Sequence, residues 1–426
     1  MKSETVVRLS DYDLELPPFL GPWRALVQLD DAGLVRARRR GPLAIISYTD
    51  LADRLRCWDK RALRDARGLI VNLDTGEVVA CPFPKFLNFD EPFARRVVEP
   101  ASEGATQPAT ANRRQVVNVV PPLPTSLPEV TVKLDGSLGI SYRDPDTGRM
   151  CWASPRSFIS ASARAAQELW DARYRDREPA LFGAFKSSTL LVETIHPRTR
   201  QTVAYDFTDL VLIGVRDRFT GRDLPYAEIR HVADALGLRL VERLDWDLDT
   251  ALARVALLDE SAEGVVCRFD ADQCPMCATA AETCALCGGT GRLSAYRLKL
   301  KSHGYLRYIA VIGHYTPEAI ARAWCEGTLD RTLRSMPEEF AATAERVVDT
   351  LEAEEAELLA ELDRLRSQAP GPECEQKAFA LWVQANAPAA LWPCLFRIRQ
   401  GKEATVRAAV VNRFMEAEVR QTQPSA

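Results

Sequence analysis

A short run around one lysine could carry covalent chemistry. In Lys133-Leu134-Asp135-Gly136-Ser137 an amine is followed closely by a carboxylate and a glycine. A lysine amine can act as a nucleophile, but only about 1 in 2,000 free lysines is neutral at pH 7. Desolvation, nearby cations or a metal ion must therefore favour its neutral form. The pattern Lys-x-Asp-Gly alone occurs by chance in about one chain in ten of this length, so its meaning depends on its companions.

Three later segments carry the charges that a phosphoryl transfer requires. Glu193 ends one short apolar run and Glu263 opens another. In Tyr296-Arg297-Leu298-Lys299-Leu300-Lys301 apolar residues alternate with three cations, which therefore share one face of a predicted strand. A solvated face would explain that strand by itself. Together, a nucleophile, two carboxylates and a cationic strand supply positioning, metal ligands and charge neutralisation.

Hydrophobic spacing predicts the elements that must hold these residues. Gly68–Val71 and Glu77–Ala80 flank Asp74-Thr75-Gly76, which predicts a β-hairpin. The alternation from Val130 to Asp135 predicts a strand with Thr131, Lys133 and Asp135 on one face. The proline-rich residues 100–128 predict a loop or insertion rather than a packed element. Further predictions are strands at Leu190–Val192 and Leu210–Ile213 and a helix at Tyr226–Leu238.

The last part of the chain has a helical composition. Residues 317–324, 337–367 and 402–419 are rich in Ala, Glu and Leu and predict helices. The middle segment has a heptad-like stripe, interrupted by Glu355, which favours a helix packed in its own domain over a coiled coil. The stripe consists of Val348, Leu351, Leu358, Leu362 and Leu365. We therefore predict a first domain at 1–312 and an α-helical C-terminal domain at 313–426.

Composition excludes few classes of protein. The chain has 426 residues, 46% hydrophobic and 27% charged, which is ordinary for a soluble protein of two or three domains. Its net charge of -4 means that any nucleic-acid binding must come from a local basic patch. No apolar run reaches the roughly 18 residues needed to span a bilayer, and Met1–Leu20 lacks the apolar core of a signal peptide. We expect a cytoplasmic protein with no membrane partner.

Four of the eleven cysteines are clustered in a metal-binding pattern. Cys274 and Cys277, then Cys284 and Cys287, form C-x2-C-x6-C-x2-C. Four thiolates on two tight turns suit tetrahedral zinc, and a redox or disulfide pair is the alternative. The cluster, within an insertion at 270–294, resembles the small zinc knuckles of the chaperone type. It could be a structural staple that closes a surface hairpin, or a module that touches RNA.

The order of these motifs resembles that of the covalent nucleotidyltransferases, which include polynucleotide ligases and mRNA capping enzymes. More closely, the chain looks like the bacteriophage RNA ligase 1 family, which repairs broken tRNA. The resemblance covers roughly residues 45–312. The segments that resemble motifs of this family are Asp65–Ile70, Pro84–Phe89, Val203–Asp206, Gly214–Arg216, Thr220–Leu224, and Lys301-Ser302 with Tyr305. It implies an α+β fold of antiparallel sheets with flanking helices, here with an inserted zinc knuckle and an α-helical C-terminal domain.

The resemblance also implies roles for the residues that react. Lys133 would attack the α-phosphorus of ATP, expel pyrophosphate and become linked to AMP. Asp135 would orient the amine or the metal, and Gly136 would let the backbone approach the nucleotide closely. Lys299 and Lys301 would contact the α-phosphate and neutralise charge in the transition state.

The remaining ATP-binding residues follow from the same resemblance. Glu193 would hold the ribose or a metal, and Glu263 a divalent ion, Mg²⁺ or Mn²⁺. Arg67 and Lys85 would act on the pyrophosphate leaving group or on an RNA phosphate. Arg156 stands where the family usually has lysine, which leaves its role less defined.

The function predicted from the sequence is that of an ATP-dependent RNA ligase. It would join RNA 3′-hydroxyl and 5′-phosphate ends through a lysyl-AMP enzyme and an RNA-adenylate, in RNA repair, with tRNA as one candidate substrate. A DNA ligase or another polynucleotide nucleotidyltransferase is the nearest alternative, although DNA ligases and capping enzymes normally continue into a β-barrel where this chain turns helical. The alternative from another class is a non-catalytic zinc-knuckle RNA-binding protein. It would lack the nucleophile or a metal carboxylate, and this chain lacks neither.

Overall fold

The fold, seen in a computed structural model, combines sheets and helices. The structure describes residues 3–89, 91, 94–98, 115–119, 122–270, 274, 276–277, 284, 286–287, 291–337, 340–371 and 373–422. The chain divides into two compact units, Met1–Arg307 and Tyr308–Ala426. The first unit holds the sheets, and the second is helical wherever it forms regular elements. The predicted α+β class with a helical C-terminal part is confirmed.

The strands of the described residues are numbered in chain order. They are β1 Thr5–Val7, β2 Val35–Arg40, β3 Leu43–Tyr48, β4 Arg67–Asn72, β5 Val78–Ala80, β6 Leu87–Asn88, β7 Ala94–Val98, β8 Gln115–Val119, β9 Glu129–Lys133, β10 Ser137–Arg143, β11 Met150–Ala153, β12 Ser188–Ile195, β13 Asp209–Asp217, β14 Arg239–Leu240, β15 Arg243–Leu244, β16 Gly264–Phe269 and β17 Tyr296–Lys301.

The helices are numbered in the same way. They are α1 Trp23–Asp31, α2 Asp50–Leu55, α3 Arg61–Asp65, α4 Ala161–Arg173, α5 Glu178–Ala184, α6 Tyr226–Leu236, α7 Leu248–Val255, α8 His303–Ile312, α9 Pro317–Cys325, α10 Leu329–Ser335, α11 Ala341–Gln368, α12 Gln376–Asn386, α13 Trp392–Arg399 and α14 Arg407–Thr422. None of the described helices is both long enough and apolar enough to cross a membrane.

Three mainly antiparallel sheets form the framework of the first unit within the described residues. Their strand orders are β1-β2-β3-β4-β5, β11-β10-β12-β13-β14 and β15-β9-β16-β17-β6. Among the strands that the structure describes, only the short edge strands β14 and β6 pair in parallel with their neighbours. The third sheet places β16 between β9 and β17, so strands far apart in sequence become neighbours. This strand order brings the predicted nucleophile beside the predicted cationic strand.

The period-two pattern of β17 is confirmed. Leu298 and Leu300 are buried with Val265 and Cys267 of β16 and with residues of α7. Lys299 and Lys301 point to the opposite face, where they line a cavity. Burying the apolar face removes hydrocarbon from water, so the sheet is stabilised from the side that carries no chemistry. Apolar packing on one face of β17 therefore holds the strand in place, and the lysines project from its other face.

Local sequence signals were correct at several elements and wrong at two. The predicted hairpin forms from β4 and β5, and the helix from Tyr226 ends at Leu236. The strand expected to run through Asp135 ends at Lys133. The loop predicted for 100–128 is wrong at 115–119, where β8 pairs with β7. The stretch Gln115-Val116-Val117-Asn118-Val119 is rich in valine, which favours strands, and this preference outweighed the nearby prolines. The rest of that predicted loop up to residue 121 lies outside the described residues.

The helical unit encloses its own core. Leu351, Leu358, Leu362 and Leu365 of α11 are buried together with residues of α9, α12, α13 and α14. Glu355, the polar interruption of this stripe, accepts a 3.0 Å hydrogen bond from Arg407 of α14. The stripe therefore packs inside its own domain, as the sequence predicts.

Gly264 cannot take a side chain without disturbing the third sheet. Its φ is +142°, and an added Cβ would lie 1.9 Å from the carbonyl oxygen of Leu300. We expect Gly264→Ala to lower the free energy of unfolding by more than about 3 kcal/mol, since strained backbone and a backbone clash combine. Urea denaturation measures this value. Gly183→Ala is the control, because Gly183 lies in α5 with open space around it and should gain a few tenths of a kcal/mol. Equal stabilities of the two variants would contradict the prediction.

Candidate active site

Strand register places two lysines on either side of one carboxylate. Gly264 of β16 is aligned with Lys133 of β9 on one side and with Lys301 of β17 on the other. Glu263 immediately precedes this position. Its Oε2 lies 2.6 Å from Nζ of Lys133, and its Oε1 lies 3.1 Å from Nζ of Lys301. Neighbouring strands are only about 4.8 Å apart, which is why one side chain reaches both.

Lys133 and Lys301 line a cavity of about 180 Å³ in the first unit. Its polar lining includes Arg67, Glu193 and Lys299 in addition to Lys133 and Lys301. Part of the wall is apolar and could contact a flat base. The apolar residues include Phe86, Val132, Leu134, Leu138, Ile213 and Val266. Arg67, Lys133, Glu193, Lys299 and Lys301 were all candidates from the sequence, and the fold brings them together.

Glu193 is kept in an unfavourable environment. Burial raises the pKa of its carboxyl to about 7; Lys133 opposes this shift and Glu263 adds to it. Its Oε1 accepts a 3.1 Å hydrogen bond from the backbone N–H of Gly136. A carboxylate retained at a cost to stability, inside a cavity beside a nucleophile, is typical of functional sites.

The raised pKa of Glu193 predicts a pH-dependent gain in stability on replacement by Gln. Below about pH 4.5 the carboxyl is protonated in the folded and unfolded chains, and the two proteins should be equally stable. Between about pH 4.5 and 7 only the unfolded chain ionises, so the wild type loses stability relative to Glu193→Gln as pH rises. Because Glu193 keeps some solvent contact, we expect a plateau of about 2 kcal/mol above pH 7. Urea denaturation at pH 5 and pH 8 tests this, and a difference that does not grow with pH would contradict it.

Asp135 is committed to the backbone rather than to the amine. Its Oδ2 accepts hydrogen bonds from the N–H groups of Thr202 and Val203, at 2.7 and 2.6 Å, and its Oδ1 accepts one of 2.9 Å from the Tyr305 hydroxyl. Its own N–H donates to the hydroxyl of Tyr205 at 2.8 Å. The side chain thus holds the segment that follows Lys133 in place. An orienting contact with the Lys133 amine, as the resemblance implies, is not among its contacts.

Gly136 also serves the packing of this segment. An added Cβ would lie 2.8 Å from the carbonyl oxygen of Thr194 and 3.0 Å from Cγ of Glu193. The close approach in the structure is therefore to β12. Approach of a nucleotide to this glycine, which the resemblance implies, stays a prediction.

Ser302 and Tyr305, part of the last matching motif, tie the two reactive strands together. The backbone N–H of Ser302 donates to the carbonyl of Glu263 at 2.9 Å, and its hydroxyl donates to that of Ala262 at 3.0 Å. The same hydroxyl accepts a 2.9 Å hydrogen bond from the N–H of Tyr305, whose own hydroxyl reaches Asp135. Fixed donors and acceptors hold Glu263 and the Lys133 segment at a set separation, which a preorganised site requires.

Lys85 and Arg156 lie outside the cavity that contains Lys133. Nζ of Lys85 is 5.0 Å from the centre of the Trp58 ring and 3.9 Å from Asp53. Arg156, which is more than half exposed, contacts Asp50 at 2.8 Å. Lys85 lines a second cavity of about 80 Å³, which shares Phe83, Phe86 and Arg297 with the first. The structure thus places Lys85 and Arg156 beside the reactive centre rather than in it.

An ionic network in the wall of the cavity, which includes Glu129, Arg268 and Arg297, escaped the sequence analysis. Arg268 donates to Glu129 at 2.9 Å, and Arg297 forms two hydrogen bonds with Asp223. Burial lowers the pKa of Arg297 to about 9, with Arg216 adding to the effect. Asp223 stood in a matching motif, but nothing in the sequence indicates that Glu129 and Arg268 meet. They lie opposite each other on paired strands, which only the sheet register reveals.

The donor groups fit two kinds of metal ion. Glu263 and Glu193 offer oxygen ligands, and Mg²⁺ is often held by one or two carboxylates plus substrate phosphates and water. The Cys274–Cys284 and Cys277–Cys287 Sγ pairs are 3.7 and 3.6 Å apart, and all four sulfurs lie within 4.8 Å of one another. Tetrahedral zinc with Zn–S bonds of about 2.3 Å requires sulfurs about 3.8 Å apart. The cluster therefore fits a zinc knuckle.

No protein-family model matches the chain, and no curated protein sequence matches it. Among solved structures, it is similar to an archaeal ATP-dependent RNA ligase, with 16% identity, coverage of 78% of this chain and 80% of the other, and a TM-score of 0.40. A putative ATP-dependent DNA ligase from Aquifex aeolicus has 14% identity, coverages of 81% and 80%, and a TM-score of 0.40. An RNA ligase from Naegleria gruberi with PPi has 14% identity, coverages of 72% and 98%, and a TM-score of 0.30.

Proposed function

We propose that the chain is an ATP-dependent polynucleotide ligase that works through AMP linked to Lys133, with RNA as its acceptor. One observation carries the proposal. The amine of Lys133 contacts a carboxylate that can release it, and its side chain lines a cavity that also has an apolar wall and cations that can hold phosphate. This arrangement offers places for a base, for the phosphates and for the nucleophile.

Each residue of the cavity has a separate task in the proposed reaction. Glu263 holds the ammonium form of Lys133 in place until the site is loaded. The ammonium then gives its proton to water, and the neutral amine attacks the α-phosphorus of ATP. The N–P bond forms as the bond from that phosphorus to the pyrophosphate leaving group breaks. Lys299 and Lys301 stabilise the charge that develops on the phosphate oxygens, and Arg67 contacts the departing pyrophosphate. Glu193 is available to the ribose. A divalent metal ion at Glu263 would offset the remaining phosphate charge.

RNA is proposed as the acceptor on the strength of the upstream residues. The segments around Arg67 and Lys85 are those that resemble the RNA ligase 1 family, and past Lys301 the described chain is helical instead of forming a β-barrel. After transfer of AMP to a 5′-phosphate, a 3′-hydroxyl would displace AMP and seal the strand. A role in RNA repair, and tRNA as substrate, belong to the same proposal.

The test uses ATP labelled in the α-phosphate, with magnesium, followed by denaturing electrophoresis. We expect the label to stay on the protein and then to move to 5′-phosphorylated strands. Chasing the labelled protein with matched RNA and DNA strands should transfer AMP at least tenfold faster to RNA. Equal or faster transfer to DNA would favour the DNA ligase alternative. Absence of label on the wild-type protein would contradict the whole proposal and favour a non-catalytic RNA-binding role.

A further inference from the structure

The cysteine knuckle lies at the end of its hairpin away from the reactive residues. β16 and β17 pair from Gly264 and Lys301 at one end to Phe269 and Tyr296 at the other. The knuckle connects the strands at the second end. About five residues of strand, roughly 17 Å, therefore separate it from Glu263. Its cysteines have no direct part in the transfer of AMP.

The knuckle is also poorly suited to hold a phosphate backbone. Between Cys274 and Cys287 the sequence contains one charged residue, Glu282, and no lysine or arginine. Binding to nucleic-acid phosphates depends on such cations. The two C-x2-C turns instead pack inward, since Cys274, Leu286 and Cys287 are buried with the core of the first sheet. The contacts of the knuckle inside the protein therefore indicate its role better than its exposed surface does.

Two arginines of α3 bind the backbone of the knuckle. Nη1 of Arg61 donates to the carbonyl of Cys287 at 2.5 Å, and Nη2 of Arg64 donates to that of Leu286 at 2.6 Å. Arg61 is also paired with Asp65 at 3.4 Å. These carbonyls belong to a metal-ligand turn, so their direction depends on how that turn is folded. Metal binding in such a turn fixes its backbone.

The same helix holds Lys85. The backbone N–H of Lys85 donates to the carbonyl of Arg64 at 2.8 Å. The Arg64 guanidinium also donates to the carbonyl of Trp58, the residue whose ring faces Nζ of Lys85. Lys85, Arg61, Arg64 and Leu286 all line the 80 Å³ cavity beside the reactive centre. A continuous chain of contacts thus leads from Cys287 to Lys85.

We propose that Arg61 and Arg64 are positioning residues through which the metal-bound knuckle fixes Lys85 at the edge of the nucleotide site. The knuckle on this view is an internal support for a phosphate-binding lysine and makes no contact with RNA. The kinetic part of this inference rests on the proposed ligase function, whereas the structural part does not.

Hydrogen–deuterium exchange measures the support directly. In the zinc-loaded protein, Arg61→Ala should speed exchange in residues 82–88, which contain the Lys85 amide, at least tenfold. Exchange at the backbone of residues 130–133 should stay unchanged, because this part of β9 pairs with β16 and contacts neither α3 nor the knuckle through its hydrogen bonds. Arg61→Lys retains one donor for the Cys287 carbonyl and should restore most of the protection. Arg24→Ala is the matched control, since Arg24 is exposed on α1 of the same unit.

Kinetics give a second measurement that an unspecific loss of stability would not reproduce. Arg61→Ala should raise the KM for ATP in the labelling of Lys133 about tenfold, change kcat less than twofold, and leave RNA affinity and zinc content unchanged. Unchanged exchange in residues 82–88 would overturn the inference, as would a loss of RNA affinity without a change in exchange. If Arg61→Ala does not fold, zinc removal from the wild type must speed the same exchange at least tenfold while Arg61→Lys keeps most of the protection, or the inference fails. Faster exchange in a protein that never takes label would contradict the ligase function alone.

Discussion

Replacing Lys133 with Ala is expected to abolish the labelling of the protein by ATP. The ε-amine of Lys133 is the nucleophile in the proposed reaction, and it lies 2.6 Å from Glu263 in a side chain that lines the cavity. Removing a covalent nucleophile leaves nothing to accept the AMP, so the rate should fall by about 10⁴ or more. Lys133→Arg should fail equally, because guanidinium stays protonated in proteins. The measurement is the amount of α-labelled protein after denaturing electrophoresis.

Lys186→Ala is the matched control for this experiment. Lys186 is exposed and belongs to the same unit, so its loss should leave labelling within twofold of the wild type. Denaturant unfolding of Lys133→Ala shows whether the variant is folded. Label on folded Lys133→Ala at the wild-type rate would place the reactive group on another residue and refute the proposed mechanism.

The residues that the sequence placed correctly share one property. Lys133, Lys299 and Lys301 occupy strands whose neighbouring residues alternate strictly between polar and apolar. Alternation specifies the face of a strand, and the buried face is fixed by the core. The four knuckle cysteines were equally evident, because the spacing that metal geometry requires is local. The sequence pattern therefore predicted the position of a side chain where that position depends on residues close to it in the sequence.

The residues that the sequence could not place depend on contacts across the fold. Asp135 lies two residues after Lys133, yet its partners are the backbone at Thr202 and the hydroxyl of Tyr305. Similarly, Lys85 lies beside Trp58, and its backbone N–H donates to the carbonyl of Arg64, which is 21 positions earlier in the chain. Sheet order is a property of the whole chain, and alternation along one strand carries no information about its neighbour. These positions therefore needed the structure.

The second large effect is expected at Glu263. In the described site its carboxylate neutralises two ammonium groups, those of Lys133 and Lys301. Glu263→Gln leaves two cations facing a neutral amide, so we expect a loss of about 2 kcal/mol in the free energy of unfolding, reduced by the partial exposure of both lysines. If the carboxylate also holds the metal, labelling by ATP should fall by about 10³ and require more magnesium. Urea denaturation and magnesium titration of the labelling rate measure the two effects.

Glu260→Gln is the matched control, since Glu260 is exposed and only a few residues away. The comparison with Glu193 makes the experiment decisive. Burial dominates at Glu193 and raises the pKa of its carboxyl, so its replacement by Gln should stabilise the protein at pH 8. Glu263 forms ion pairs with two lysines, which its replacement by Gln would leave without a counter-charge, so the same replacement should destabilise the protein. If Glu263 served only as a counter-ion, the phosphates of ATP could take over that charge and labelling would persist. Wild-type labelling by folded Glu263→Gln would therefore exclude it as a metal ligand.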